Sequence, residues 1–171
     1  KVGPTIADDI KKNSFLAVIG SLIVVFLYIL LRFRRWQFSL GAVAAVFHDV
    51  LIVLVVFSLT YKFMPFSMEI NQAFIAAILT IIGYSLNDTV VVFDRVREYM
   101  NINKKKKIHE FMNGSLNSTL SRTINTSLTT FFVLLIIFIF GGEVIRGFMF
   151  ALMVGVIAVS YTHLTLPTMA I

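Results

Sequence analysis

Apolar runs long enough to cross a lipid bilayer set the first limit on what this chain can fold into. A spanning helix needs about 20 residues, at about 1.5 Å of rise each, to cover a hydrocarbon core of about 30 Å. The runs from about Ser14 to Leu31, about Phe38 to Tyr61 and about Ala73 to Phe93 meet that length. Inside a bilayer no water is present to satisfy backbone N–H and C=O groups, so each run is expected to be a helix. Composition points the same way, because 58% hydrophobic residues, 17 Phe and a mean hydropathy of +0.88 do not suit a surface that faces water.

Charge sets the orientation. Arg32, Arg34 and Arg35 follow the first run, only Lys62 and Glu69 mark the next turn, and Arg95, Arg97 and Lys104 to Lys107 follow the third. By the positive-inside rule the first and third runs end in the cytoplasm, and the segment before Ser14 lies outside. The net charge of +6 is accounted for by this clustering at run ends, with no nucleic-acid module in view. The Lys run reads as a solvated topology signal facing membrane lipid. Without Cys there is neither a disulfide framework nor a thiolate site, and the His residues at 48, 109 and 163 make no ligand cluster. No metal, cofactor or catalytic residue is therefore assigned.

Two later runs are short. Leu128 to Phe140 would cover only about 20 Å, so the fourth helix must borrow from the polar side, back to about Ser121. That draws Arg122, Thr123, Asn125, Thr126, Thr129 and Thr130 into the membrane. Leu116, Leu120, Ile124 and Leu128 recur every fourth position as an apolar ridge, while Thr119, Arg122, Thr123, Thr126, Thr129 and Thr130 share another face, which is expected to look inward. The fifth run, about Phe148 to Val159, is followed by Ser160-Tyr161-Thr162-His163-Leu164-Thr165-Leu166-Pro167, with no convincing continuation. Residues 160–171 are read as a non-native tail, with the last helix cut off near Val159. Between the third and fourth helices, Ile108, Phe111 and Met112 suggest a short surface helix.

Asp88 is the residue that calls for a function. An acid at the middle of a spanning helix costs roughly 2.5 to 3.5 kcal/mol on insertion scales. Gly83 and Asn87, Tyr84 and Asp88, and Ser85 and Asp88 are spaced to form one polar patch, in which Gly83 permits close approach of a neighbouring helix and Asn87 can donate a hydrogen bond. Arg122 enters the membrane at a comparable depth on the same side, so it can pair with Asp88. Two readings stay open for that pair, a buried bridge that fixes helix register and an ion-coupling site. His48-Asp49 places a second acid in the second run, and Asp94 and Arg97 are spaced to pair at the cytoplasmic rim.

Several separate motifs carry a resemblance. They are Val2-Gly3-Pro4, Arg32-Phe33 with Trp36, Gly41-Ala42 with His48-Asp49-Val50, Glu69-Ile70-Asn71, the long run from Ile82 to Glu98 around Asn87-Asp88, Ser121 to Ser127, and Phe140-Gly141-Gly142. From Val2 to about Gly155 the chain resembles the SecF family, meaning the SecF subunit or SecF half of SecDF in the bacterial Sec translocon, within the resistance-nodulation-division superfamily. The resemblance implies an all-α polytopic membrane bundle, the last five transmembrane helices of a six-helix half. Residues 1–13 would be a periplasmic linker after a periplasmic domain that precedes Lys1, and residues 14–159 the transmembrane domain, in the bacterial cytoplasmic membrane. It further implies a non-enzymatic role in which the proton gradient, or a sodium gradient, assists preprotein export, with SecD (separate or fused), the SecYEG channel and the translocating preprotein as partners. Asp88 and Arg122 would belong to the ion pathway, with Asn87, Asp49 and Thr126 in support. The chain departs from the family pattern after Val159, where a Gly-Thr-Tyr-Ser-Ser-like run is expected. A small-molecule or lipid exporter half of the same superfamily, and a scaffold that steadies the translocon, are the alternatives.

Overall fold

The computed structural model describes residues 4–34, 36–102 and 108–165. They form five helices: α1 (Pro4–Phe33), α2 (Trp36–Thr60), α3 (Gln72–Ile102), α4 (Ile108–Phe140) and α5 (Glu143–Thr165), with no strand among the described residues. All five contain a stretch long and apolar enough to span a membrane. The expected all-helical class therefore holds.

Local chemistry explains where the helices stop. Arg34 closes α1 in the left-handed region, with φ at 54°, and its N–H donates to the Leu30 carbonyl over 2.8 Å. That is the αL type of helix end, formed here without the usual glycine, so α2 can start at Trp36. At the other side of the membrane, Asn71 caps α3 by accepting the Phe74 N–H on its side-chain oxygen at 3.1 Å. The loop between α2 and α3 is held down by Phe66 and Met68, both buried, with the Phe66 ring 5.5 Å from that of Phe138 and 5.9 Å from that of Phe150.

Helix α5 is the centre of the bundle, packed against α2, α3 and α4, while α1 leans on α2 and touches α3 only lightly. Close approach of α5 depends on missing side chains. A Cβ on Gly155 would collide with the Ile81 side chain of α3, and one on Gly147 would lie 2.5 Å from the Ser67 carbonyl oxygen. The main apolar core joins Val46, Val53, Phe57, Phe74, Ile81 and Val159, and a second cluster at the Arg-rich end joins Ile29, Phe33, Phe38 and Phe93. Most of the outward surface of α1 and α4 is apolar and exposed, including Phe15, Leu31, Phe132 and Phe140, as suits contact with lipid or with other helices.

The structure differs from the sequence expectations at three places. Helix α4 begins at Ile108, so Ile108 to Met112 form its first turns and not a separate surface helix, and the Lys run lies outside the described residues. Helix α5 continues past Val159 to Thr165, and Thr162 is buried in the bundle. The α4 polar residues do not share one inward face. Ser115, Thr119, Thr123 and Ser127 are buried, whereas Arg122, Thr126 and Thr129 are exposed. The reason is geometric: adjacent residues on a helix are turned about 100° from one another, so Arg122 and Thr123 lie on different sides, and each belongs to its own line of residues three or four apart.

Candidate functional site

Among the described residues, two carboxylates are buried in the membrane-spanning part. Asp88 lies on α3 at 4% exposure and Asp49 on α2 at 0%. Their surroundings are opposite in character.

Asp49 is heavily bonded. Its Oδ2 accepts from the Ser85 hydroxyl of α3 at 2.8 Å, and its Oδ1 accepts from the Thr162 hydroxyl of α5 at 2.5 Å. His48 Nδ1 stands 3.6 Å from the same Oδ1 and 3.2 Å from Thr162 Oγ1. Three helices thus meet at one carboxylate, whose charge would otherwise be costly to bury. Ser85 and Thr162 are themselves fully buried.

Asp88 is under-bonded, since its Oδ2 is buried without a hydrogen-bond partner. Arg122 on the adjacent α4 is the charged group whose field acts on it, yet the two form no ion pair, and the Arg122 side chain is exposed. The acid and the guanidinium are therefore neighbours in electrostatic terms and unbonded in geometric ones. An acid left this way can take up a proton or an ion.

The polar patch read from the sequence splits into two faces. Ser85, Asp88 and Thr89 turn into the bundle, and Tyr84 is half-buried, with its hydroxyl donating to Ser127 of α4 at 3.5 Å. Gly83 and Asn87 are exposed, and a Cβ on Gly83 would meet nothing within 4 Å. Thr126 is likewise exposed, and its hydroxyl donates to the Arg122 and Thr123 carbonyls of its own helix at 2.9 and 3.0 Å. At the rim, Asp94 pairs with Arg32 of α1 at 3.1 Å, and Arg95 pairs with Glu98 at 2.6 Å, in place of the expected Asp94 to Arg97 pair.

Sequence reading placed Asp49 only in a supporting role and did not connect it to Ser85 or Thr162, which lie 36 and 113 positions away. The available signal was Ser85 itself, a hydroxyl one turn before Asp88 that had no stated partner. Among the described residues no cluster of His, Cys, Asp and Glu could hold a metal ion.

The family model described as "Protein export membrane protein SecD/SecF, C-terminal" matches residues 1–168. Protein translocase subunit SecF of Rhodothermus marinus is 60% identical over 163 residues, which cover 95% of this chain and 53% of that protein. Protein translocase subunit SecDF of Brucella abortus is 48% identical over 163 residues, which cover 95% of this chain and 21% of that protein. A crystal structure of SecDF, described as a translocon-associated membrane protein from Thermus thermophilus, superposes with a TM-score of 0.89 at 38% identity, over 99% of this chain and 22% of that one. A structure of SecDF in a super-membrane-facing form gives a TM-score of 0.85 at 37% identity, over 99% of this chain and 22% of that one. The chain spans about half the length of the curated SecF relatives it matches.

Proposed function

This chain belongs to the SecD/SecF family of protein export membrane proteins, and we propose that it is the SecF-type membrane half of a translocase component that uses an ion gradient to assist preprotein export across the bacterial cytoplasmic membrane. The observation that carries the reading is Asp88, buried on α3 with an unpartnered oxygen while Arg122 acts on it from α4 without bonding to it.

In this reading Asp88 alternates between a neutral form, with a proton or a sodium ion bound, and a charged form that draws Arg122 inward. A unit charge crossing 100 mV is worth about 2.3 kcal/mol, enough to shift a helix equilibrium by more than tenfold. Neutralising Asp88 removes the attraction and releases α4, and the part of the full-length protein outside the membrane converts that release into a pull on the preprotein. SecD, fused as in the SecDF relatives or separate, completes the membrane unit, and SecYEG supplies the channel.

The exposed polar residues support SecD as the neighbour. Gly83 and Asn87 on α3, and Arg122 and Thr126 on α4, are open in this chain, yet polar groups at membrane depth need protein or water beside them. A partner half seated there would cover them and close off the Asp88 region from lipid.

The test is export in inverted membrane vesicles carrying the full-length protein. Asp88→Asn is expected to reduce the gradient-stimulated part of preprotein export by at least about tenfold, leaving ATP-driven export in place. Undiminished stimulation would reject the coupling role. Imposing a proton gradient alone and a sodium gradient alone identifies the ion.

A further inference from the structure

The corner between α1 and α2 holds a residue whose backbone glycine would adopt more easily. Arg34 has φ at 54°, a region that is strained for a residue with a Cβ and open to Gly. Its side chain is exposed, and among the described residues it pairs with no carboxylate, whereas Arg32 pairs with Asp94 and Arg95 with Glu98. A free guanidinium thus stands at the cytoplasmic membrane surface, in a place where its backbone is unfavourable.

Below this corner runs a shallow groove. Ile19, Leu22, Ile23, Phe26 and Leu27 of α1 line it together with Val43 of α2, and all six side chains are apolar. Helical periodicity leads both walls to the same mouth. Arg34 lies seven positions beyond Leu27, and Trp36 lies seven before Val43, so each continues a wall along its own face about 10 Å nearer the cytoplasm. Trp36 is exposed, as an indole at headgroup level is expected to be. The far end of the groove, at Ile19, is fifteen positions from Arg34, or about 22 Å. Half of a hydrocarbon core is about 15 Å, so the groove passes through the depth filled by acyl chains of the cytoplasmic leaflet.

We propose that this groove binds an anionic phospholipid of the cytoplasmic leaflet, with the phosphate on Arg34 and one acyl chain lying between α1 and α2. Charge complementarity selects the occupant. An apolar helix could fill the groove but would leave the guanidinium without an anion, and a zwitterionic lipid brings an amine that competes with Arg34 for its own phosphate. An anionic lipid supplies both halves, an acyl chain for the apolar walls and a phosphate that the guanidinium fork can hold through two hydrogen bonds. The groove also lies away from the α3 and α4 surface assigned to SecD, since α1 leans on α2 and touches α3 only lightly. The site is independent of the role given to Asp88.

Trp36 is the single Trp of this sequence and stands at the mouth, so its fluorescence reports occupancy. The full-length protein with its SecD half is placed in phosphatidylcholine nanodiscs holding a small fraction of phosphatidylglycerol, with bromine on the chains of one lipid or the other. The Trp36→Phe protein supplies the signal of any other tryptophans, which is subtracted. At equal mole fraction, brominated phosphatidylglycerol is expected to quench Trp36 at least about fivefold more effectively than brominated phosphatidylcholine. Arg34→Gln and Arg34→Gly are expected to abolish that preference, the Gly variant in a corner relieved of backbone strain. Arg97→Gln removes an exposed rim charge on α3 and is expected to leave the preference in place. Val43→Phe, which fills the groove, is expected to lower quenching by the brominated chains. Equal quenching by the two lipids, a preference that survives both Arg34 substitutions, or one lost equally with Arg97→Gln overturns the headgroup site. Quenching unchanged by Val43→Phe overturns the groove as the seat of the chain. If neither lipid quenches Trp36, protein covers the groove and the whole proposal falls.

Discussion

Asp49 and Asp88 show how little burial alone says about a membrane carboxylate. Both are shielded from the surroundings, but one is tied to two other helices and the other keeps an oxygen free. Removing the carboxylate of Asp49 would take away the acceptor of the buried Ser85 hydroxyl and one of the partners of Thr162, as well as the acid's own packing. Asp49→Ala is therefore expected to lower stability by about 2 to 4 kcal/mol, read as thermal unfolding of the full-length protein in detergent. Asp88→Ala, with an unsatisfied oxygen removed, should cost clearly less in the same measurement. The rim pair of Asp94 and Arg32 is a third case. With side chains 44% and 43% exposed it is solvated, and Asp94→Ala should change stability by less than about 1 kcal/mol. Asp88 was legible as a buried acid because a charge stands alone in an apolar run. The partners of Asp49 were not, since nothing local in a sequence says which face of α5 meets which face of α2.

At the scale of the helices, length and hydropathy were enough to place α2 within a few residues, and the end of α1 and the start of α3, but α1 begins at Pro4, well before Ser14, and α3 runs on past Phe93 to Ile102. The requirement that α4 cross the membrane correctly drew Arg122 and its threonines into the helix, although α4 starts earlier still, at Ile108. What spacing could not decide was which of its polar residues face the chain's own core, because a line of hydroxyls at Ser115, Thr119, Thr123 and Ser127 runs beside a second line through Arg122, Thr126 and Thr129. Contacts of α5 were equally hidden, since a glycine's value depends on what approaches it. Gly147→Ala would press a methyl group on the Ser67 backbone carbonyl, which cannot swing aside as a side chain can. Its expected cost is about 1 to 3 kcal/mol, again read by thermal unfolding, with Gly142→Ala, where a Cβ meets nothing within 4 Å, as the neutral control.

For the whole molecule, α5 packs against α2, α3 and α4, while the outward side of α3 and α4 leaves Gly83, Asn87, Arg122 and Thr126 exposed. If that side receives SecD, a bulky residue there should separate assembly from folding. Gly83→Leu has room within this chain and is expected to leave the unfolding temperature of the subunit within a few degrees of its original value, while reducing co-purification of SecD several-fold. Intact assembly with Gly83→Leu would place the SecD surface elsewhere.

The hydroxyls of α4 have a mechanical consequence. Thr119, Thr126 and Thr129 spend their protons on carbonyls of their own helix, at 2.8 to 3.1 Å, and the Tyr84 to Ser127 contact between α3 and α4 is long, at 3.5 Å. Such a helix carries its polar satisfaction with it when it moves. Sliding or turning α4 leaves those bonds intact, much as a sleeve turns in a plain bearing, so a force on the helix is not spent in tearing them apart.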